Sequence, residues 1–232
     1  MKFKLATLVL TLAMTTLSFA NAVTYTGSQG TLSASATFSQ TGTMLHIMLQ
    51  NTSTGDVKVP TDVLTGVLFN SPKLTPVSAS LVGSTEYGSS SNFGDGWGYG
   101  HVSALGFTNA IDATGAVNGL GHSNFSTTHT NLGGLNYGIV SAGDNSATGN
   151  GGVTGKGPLA KSEVDFTLTT PAGFKLSDLG NTVEFVYGTE LVADPKFTGR
   201  LVPDPTPTPE PSTMLLLGSG LVGLSAWVRR KA

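Results

Sequence analysis

The chain has 232 residues, a net charge of −2 and only 11% charged side chains. That balance supplies no basic footprint for nucleic acid, which is excluded as a partner, or for an anionic membrane surface. There is no cysteine, which excludes disulfides, thiolate metal sites and cysteine nucleophiles.

The amino terminus opens with Met1-Lys2-Phe3-Lys4, a short basic stretch. An apolar run, Leu5 to Phe19, follows, and then Ala20-Asn21-Ala22. Small residues at Ala20 and Ala22 fit the shallow pockets of signal peptidase, so residues 1–22 are expected to be a signal peptide read by the Sec translocon. The apolar run has about 15 residues, short of the ~20 a lasting membrane helix needs. The mature chain is expected to start at Val23.

The next segments carry strand periodicity. Leu32, Ala34, Ala36 and Phe38 alternate with Ser33, Ser35 and Thr37, the pattern of a half-buried strand. Gln40-Thr41-Gly42-Thr43 reads as a hairpin turn into a second strand, Met44 to Leu49. Asp62 to Phe69 and Val77 to Val82 are further apolar runs, and His101 to Phe107 is expected to form a short strand.

Residues 108–157 are mostly Gly, Asn, Ser and Thr, with only Leu135 to Val140 strand-like. So long an irregular stretch is unusual in a compact domain. It holds either irregular strands packed across the sheets or a long ordered surface loop. Alternation returns at Glu163 to Thr169, Leu176 to Leu179 reads as a helical turn, and Val183 to Gly188 as a late strand. No segment sustains a helical period. The expected fold of residues 23–201 is an antiparallel β-sandwich of roughly 7–10 short strands with long Gly/Ser/Asn-rich loops.

Candidate chemistry is sparse. Gly94-Asp95-Gly96-Trp97-Gly98-Tyr99-Gly100 imitates a phosphate-cradling loop but lacks the strand before it and the helix after it. It reads instead as a turn that aims two aromatics, and Trp97 and Tyr99 are the candidate ligand platform, since flat rings pack on sugar faces. Gly151 to Gly157 is one residue short of a P-loop, with Gly157 where a Ser or Thr should hold magnesium. His46, His101, His122 and His129 lack the tight spacing of a zinc site. Asp144-Asn145 and Asn150 lack the EF-hand spacing for calcium. No serine lies in a G-x-S-x-G elbow. The expectation is no catalytic residue, no metal and no cofactor.

The carboxyl terminus has three ordered parts. Residues 202–211 carry proline at every second position from Pro203 to Pro211, an extended spacer without regular donors. Residues 212–232 hold an apolar stretch, Met214-Leu215-Leu216-Leu217-Gly218 through Leu221, Val222 and Leu224 to Trp227 and Val228. It is expected to form a C-terminal transmembrane helix, short for a bilayer, with Trp227 at the interface. Arg229-Arg230-Lys231 then forms a basic stop that stays cytoplasmic under the positive-inside rule.

Pro209-Glu210-Pro211, the apolar stretch with Gly218-Ser219-Gly220 inside it, and the terminal basic cluster resemble the PEP-CTERM sorting signal of Gram-negative bacteria. The resemblance implies recognition by an exosortase, cleavage at or near the motif, a transient inner-membrane intermediate and delivery to the surface or matrix. Exopolysaccharide, which accompanies such systems, is the further partner it implies. The expected function is therefore a sorted surface or matrix protein that is not an enzyme. A carbohydrate- or surface-binding adhesin is the alternative, and an extracellular hydrolase is disfavoured.

Overall fold

The computed structural model describes residues 21–83, 85–88, 92–100, 102, 106–115, 123–126, 135–149, 151–154, 157–191 and 195–203. The chain divides into two units, residues 1–201 and 202–232. The described residues lie almost wholly in the first.

That unit is all-β. In chain order its strands are β1 (Asn21–Gln29), β2 (Leu32–Thr41), β3 (Met44–Asn51), β4 (Leu64–Phe69), β5 (Thr75–Val82), β6 (Thr85–Tyr87) and β7 (Gly98–Gly100). There follow β8 (Asn109–Asp112), β9 (Ser123–Asn124), β10 (Ile139–Val140), β11 (Leu159–Lys161), β12 (Glu163–Thr169), β13 (Thr182–Tyr187) and β14 (Lys196–Val202). They form one sheet in the order β5-β12-β3-β2-β1-β14-β13-β4-β10-β11-β6. At β4 the sheet forks. Gly66 to Phe69 pair with β8, while Leu64 pairs with β10. β7 and β9 then extend the β8 branch.

The local reasons are legible. β2 turns Ala34, Ala36 and Phe38 inward, and β3 does the same with Leu45, Ile47 and Leu49. Their register runs from Thr41↔Met44 to Ala34↔Asn51, so a slip of one residue would turn every apolar side chain to solvent. The hairpin between them turns on Gly42 at φ 60°, a conformation glycine adopts without steric cost. β12 repeats the alternation with Val164, Phe166 and Leu168. β4 is buried at all six positions, as a central strand covered on both faces must be.

The sheet curls nearly into a barrel, with one large buried apolar cluster and two smaller ones. Ser162 makes the corner. It sits between β11 and β12 at φ 74°, donates to Val140 O at 3.0 Å and accepts from Asn51 N at 2.9 Å. One residue thus carries the chain from the β10-β11 arm to the β3-β12 arm. Inside, Phe38 meets Phe69 edge-on at 5.4 Å and Trp97 meets Phe166 at 4.9 Å. Each such buried ring is worth about 1.5–3 kcal/mol of transfer free energy.

The all-β, predominantly antiparallel expectation holds. Three finer expectations are corrected. There is a single curled sheet instead of two packed ones, because β1 and β14 bridge the two arms. Among the described residues it has 14 strands, more than the periodicity predicts, because several are only two to four residues long. The strand expected at His101 to Phe107 lies mostly outside the described residues, of which Val102, Gly106 and Phe107 are in no strand. Of Leu135 to Val140 only Ile139–Val140 is a strand. In 108–157 the described residues Ala110, Ile111, Phe125, Leu135, Tyr137 and Ile139 are buried and pack into the fold, while residues 145–148 are exposed.

Signal residues 1–20, the sorting motif Pro209 to Pro211, the apolar stretch 214–228 and the basic stop 229–231 lie outside the described residues. Among the described residues, no helix is long and apolar enough to cross a membrane.

Candidate functional site

The Gly-rich aromatic segment is a core element, and the ligand-platform expectation for Trp97 and Tyr99 is corrected. Asn92 caps a 3-10 turn, Phe93–Gly96, its side chain accepting from Gly94 N at 3.1 Å. A Cβ at Gly94 would lie 2.7 Å from Phe125 O, and one at Gly96 only 2.0 Å from the Tyr137 ring. The glycines therefore let this turn press against two other segments. Trp97 drops into the core fully buried, its Nε1 donating to Tyr137 O at 3.0 Å.

Tyr99 is 5% exposed. Its hydroxyl donates to Asn109 Oδ1 at 2.6 Å and accepts from Leu74 N at 2.9 Å. Burial pushes its phenol up to about 12. Neither ring offers a face to solvent. The alternation that places Trp97 and Tyr99 on one side of β7 is real, but that side faces inward.

Three acidic side chains, Asp112, the candidate Asp144 and Asp56, each tie a loop. Asp112 is fully buried and accepts from Thr114 N at 3.0 Å and Thr114 Oγ1 at 2.7 Å. Asp144 accepts from Val57 N at 2.9 Å and Tyr87 Oη at 3.4 Å, and its carbonyl accepts from Lys161 Nζ at 3.0 Å. Asn145 N and Thr148 Oγ1 donate to Asp56, and the Thr148 hydroxyl leads in holding that carboxyl below its usual range. His101, His122, His129 and Asn150 lie outside the described residues. Among the described residues no three His, Asp or Glu gather as a metal site.

What the fold does assemble is a broad polar face. On the outer side of β5-β12-β3-β2-β1 the rungs read Ser80–Asp165–Met48–Thr37–Thr24 and Ser78–Thr167–His46–Ser39. The next is Val82–Glu163–Gln50–Ser35–Thr26. Hydroxyls dominate these rows. They repeat at about 4.8 Å between strands and about 6.8 Å along each strand.

The rows are stitched sideways. Thr24 Oγ1 and Thr37 Oγ1 are 3.0 Å apart, and Ser35 Oγ donates to Gln50 Oε1 at 2.8 Å. Gln50 Nε2 donates in turn to Glu163. The few charged groups sit on β3 and β12. His46 Nδ1 is 3.5 Å from Asp165 Oδ2. Desolvation raises the Asp165 carboxyl, with His46 opposing it. No sequence signal marked this face except the Ser/Thr half of the strand alternation.

A groove of about 570 Å³ lies at one end of β1, between Gln29–Leu32, Thr61, Asp62, Pro195 and Lys196. It adjoins a second hollow of about 270 Å³ lined by Ser53 and Gly55 to Lys58. Asp62 stands between the two, its carboxylate already accepting from the N–H groups of Lys58 and Val59. The groove thus sets the hydroxyl-bearing Thr31 and Thr61, the apolar Leu32 and Pro195, and the charged Asp62 and Lys196 around one space.

Residues 207–231 match the PEP-CTERM protein-sorting motif. No curated protein and no solved structure matches this chain. The chain is thus an all-β protein with a carboxyl-terminal sorting signal. More specifically, it carries the PEP-CTERM signal of exosortase-dependent sorting, which implies processing by an exosortase and export through the membrane to the cell surface.

Proposed function

We propose that this chain is a non-enzymatic protein of the cell surface or extracellular matrix, exported through the Sec translocon and held briefly in the inner membrane. Its mature unit works by presentation within exopolysaccharide. The observation that carries the sorting half is the motif match at 207–231. The hydroxyl-lined outer face supports the other half. Its rows of Ser and Thr offer donors and acceptors at sheet spacing, with little charge to repel a neutral or an anionic polymer.

Co-expression with an exosortase tests the first half by intact mass. The expected result is loss of the tail only when exosortase is present. A tail retained in both hosts would refute sorting. For the second half, co-sedimentation with the host's own exopolysaccharide is expected to retain the mature unit. Full recovery in the supernatant would refute it.

The groove beside Asp62 supports a second reading, an adhesin that takes a discrete oligosaccharide. A short neutral oligosaccharide saturating one site per chain, with weaker binding in Lys196→Ala, would select it over the first.

A further inference from the structure

Asp62 is a fixed carboxylate with one oxygen left over. It ends the 3-10 turn Pro60–Asp62. Its N–H donates to Val59 O at 3.0 Å, and its carbonyl accepts from the buried Asn51 Nδ2 at 3.3 Å. Its side chain reaches back over the turn, where Oδ2 accepts from Lys58 N at 3.1 Å and Val59 N at 3.3 Å. Among the described residues no donor bonds to the other oxygen, Oδ1. An ionised carboxylate has about four acceptor positions. Here the protein fills them on one oxygen only.

That carboxylate stands where two hollows meet. Thr31, Leu32 and Asp62 line both the groove of about 570 Å³ and its neighbour of about 270 Å³. Together they fall within the roughly 300–1,000 Å³ of small-molecule sites. Leu32 and Pro195 offer C–H surface, and Thr31 and Thr61 offer hydroxyls. The other charged groups already have partners. Lys196 Nζ donates to Leu191 O at 3.4 Å, and Asp56 accepts from Asn145 N and Thr148 Oγ1. Lys58 faces the Asp56 charge. Two lysines and two aspartates leave the walls without net charge.

Oδ1 therefore calls for a donor, and a hydrogen bond to an ionised acceptor is stronger than one to a neutral acceptor. A sugar carries adjacent hydroxyl donors on a C–H-rich ring. A ligand carboxylate would instead set its lone pairs against Oδ1. We propose that Asp62 Oδ1 is the specificity-determining acceptor of an oligosaccharide site that crosses both hollows, taking hydroxyls of a neutral sugar and rejecting acidic ones. This rests on the second reading above, an adhesin with one discrete site. Preorganisation supports it, since a carboxylate already held by the turn need not be ordered on binding.

The test titrates the full chain in detergent, by calorimetry, with oligosaccharides released from the host's exopolysaccharide by partial hydrolysis. An anion exchanger splits them into neutral and acidic pools. The neutral pool should saturate one site per chain, and the acidic pool should bind about tenfold or more weaker. Asp62→Asn can keep the bonds from Lys58 N and Val59 N through its amide oxygen, which turns the NH2 to the position of Oδ1. It should hold its thermal midpoint yet bind the neutral pool about tenfold or more weaker. Full O-methylation of that pool removes its donors and should abolish binding to the natural chain.

No saturable binding of the neutral pool to the natural chain sinks the adhesin reading and the proposal with it. One-site binding that Asp62→Asn leaves unchanged, or that survives O-methylation, keeps the reading and overturns the role of Oδ1. Equal affinity for the two pools overturns the selectivity. Binding that requires added calcium would put an ion on Oδ1 in place of a hydroxyl, and would overturn the proposal too.

Discussion

The Trp97 indole donates its N–H to the carbonyl of Tyr137, 40 positions along the chain, at 3.0 Å. The same indole packs edge-on to Phe166 of β12 at 4.9 Å. One side chain thus joins the Gly-rich turn, the 135–138 turn and the β12 arm. Trp97→Ala should cost about 3–5 kcal/mol, since it opens a large cavity and leaves a buried carbonyl unpaired. In a domain of this size that lowers Tm by roughly 6–20 °C. Thermal unfolding of the mature unit measures it. A loss below about 1 kcal/mol would contradict the burial of this residue.

Gly96 should tolerate no side chain. A methyl there would meet the Tyr137 ring at 2.0 Å, and neither the turn nor a ring packed edge-on to Phe93 at 5.4 Å can move freely. Gly96→Ala is expected to destabilise by at least about 1–3 kcal/mol through overpacking. Gly55→Ala is the control. Nothing lies within 4 Å of its added Cβ, and its backbone is not in the positive-φ region. It should be neutral to slightly stabilising. Urea midpoints of the two variants, side by side, decide the point.

These residues mark how far the sequence could be read. Strands with one wet face announce themselves, because Leu45, Ile47 and Leu49 or Val164, Phe166 and Leu168 recur at period two. β8 does not. Its Asn109 and Asp112 are buried polar groups satisfied by Ser71, Thr108 and Thr114, and of these partners Ser71, 38 positions away, is brought near by the fold. β1 was hidden for another reason. Its Val23, Tyr25 and Gly27 alternate with Thr24, Thr26 and Ser28, but the strand overlaps the signal-cleavage pattern. The site was less legible still. Gly at 94, 96, 98 and 100 is compatible with aromatics thrust outward or inward, and only the contacts of Gly94 and Gly96 with Phe125 and Tyr137 distinguish the two.

Alkaline pH should loosen the fold through its buried tyrosines. Burial raises the phenols of Tyr99, to about 12, and of Tyr25 and Tyr187. In the unfolded chain a tyrosine ionises near 10. Between about pH 10 and 12 the unfolded state therefore binds fewer protons than the folded one, and stability falls as pH rises. Below pH 10 both states are neutral at these groups and stability should not depend on them. Tyr99 alone contributes a loss of up to about 3 kcal/mol. Tyr99→Phe should be less stable at pH 7, having lost the bonds to Asn109 and Leu74, yet show a shallower decline from pH 10 to 12. Urea midpoints of both proteins across that range test this. Parallel slopes would argue that Tyr99 is not the titrating group.

Tyr187 ties the curled sheet across its corner. Its hydroxyl donates to Ser33 O at 2.8 Å and lies 3.2 Å from Asn51 Oδ1, while Asn51 Nδ2 donates to Ile139 O at 3.0 Å. β13, β2, β3 and β10 thus share one buried polar knot. Tyr187→Phe is expected to cost about 1–3 kcal/mol, the desolvation penalty of the acceptors it leaves. Asn51→Leu should cost more, because it also strips Ile139 O and Ser53 N of their partner. The double variant should fall short of the sum, as residues of one network do. Additive losses in a double-mutant cycle would mean that the two side chains act separately.

The outer face yields a prediction that separates binding from folding. Thr24 and Thr37 face each other across β1 and β2 with their hydroxyls 3.0 Å apart. Replacing both by Val keeps shape and β-propensity while removing the hydroxyls from the middle of the face. Stability should change by less than about 1 kcal/mol, since the pair is only part-buried and valine suits a strand. If the hydroxyl rows hold exopolysaccharide, the double variant should release more protein to the supernatant in co-sedimentation, and a Thr37→Glu variant still more, given Glu163 and Asp165. Both acids lie two strands away on the same face, on β12, so an added carboxylate raises the negative charge of that face. Unchanged retention in both, with unfolding midpoints unmoved, would remove this face from the interaction and leave the groove beside Asp62 as the surface to examine by Lys196→Ala.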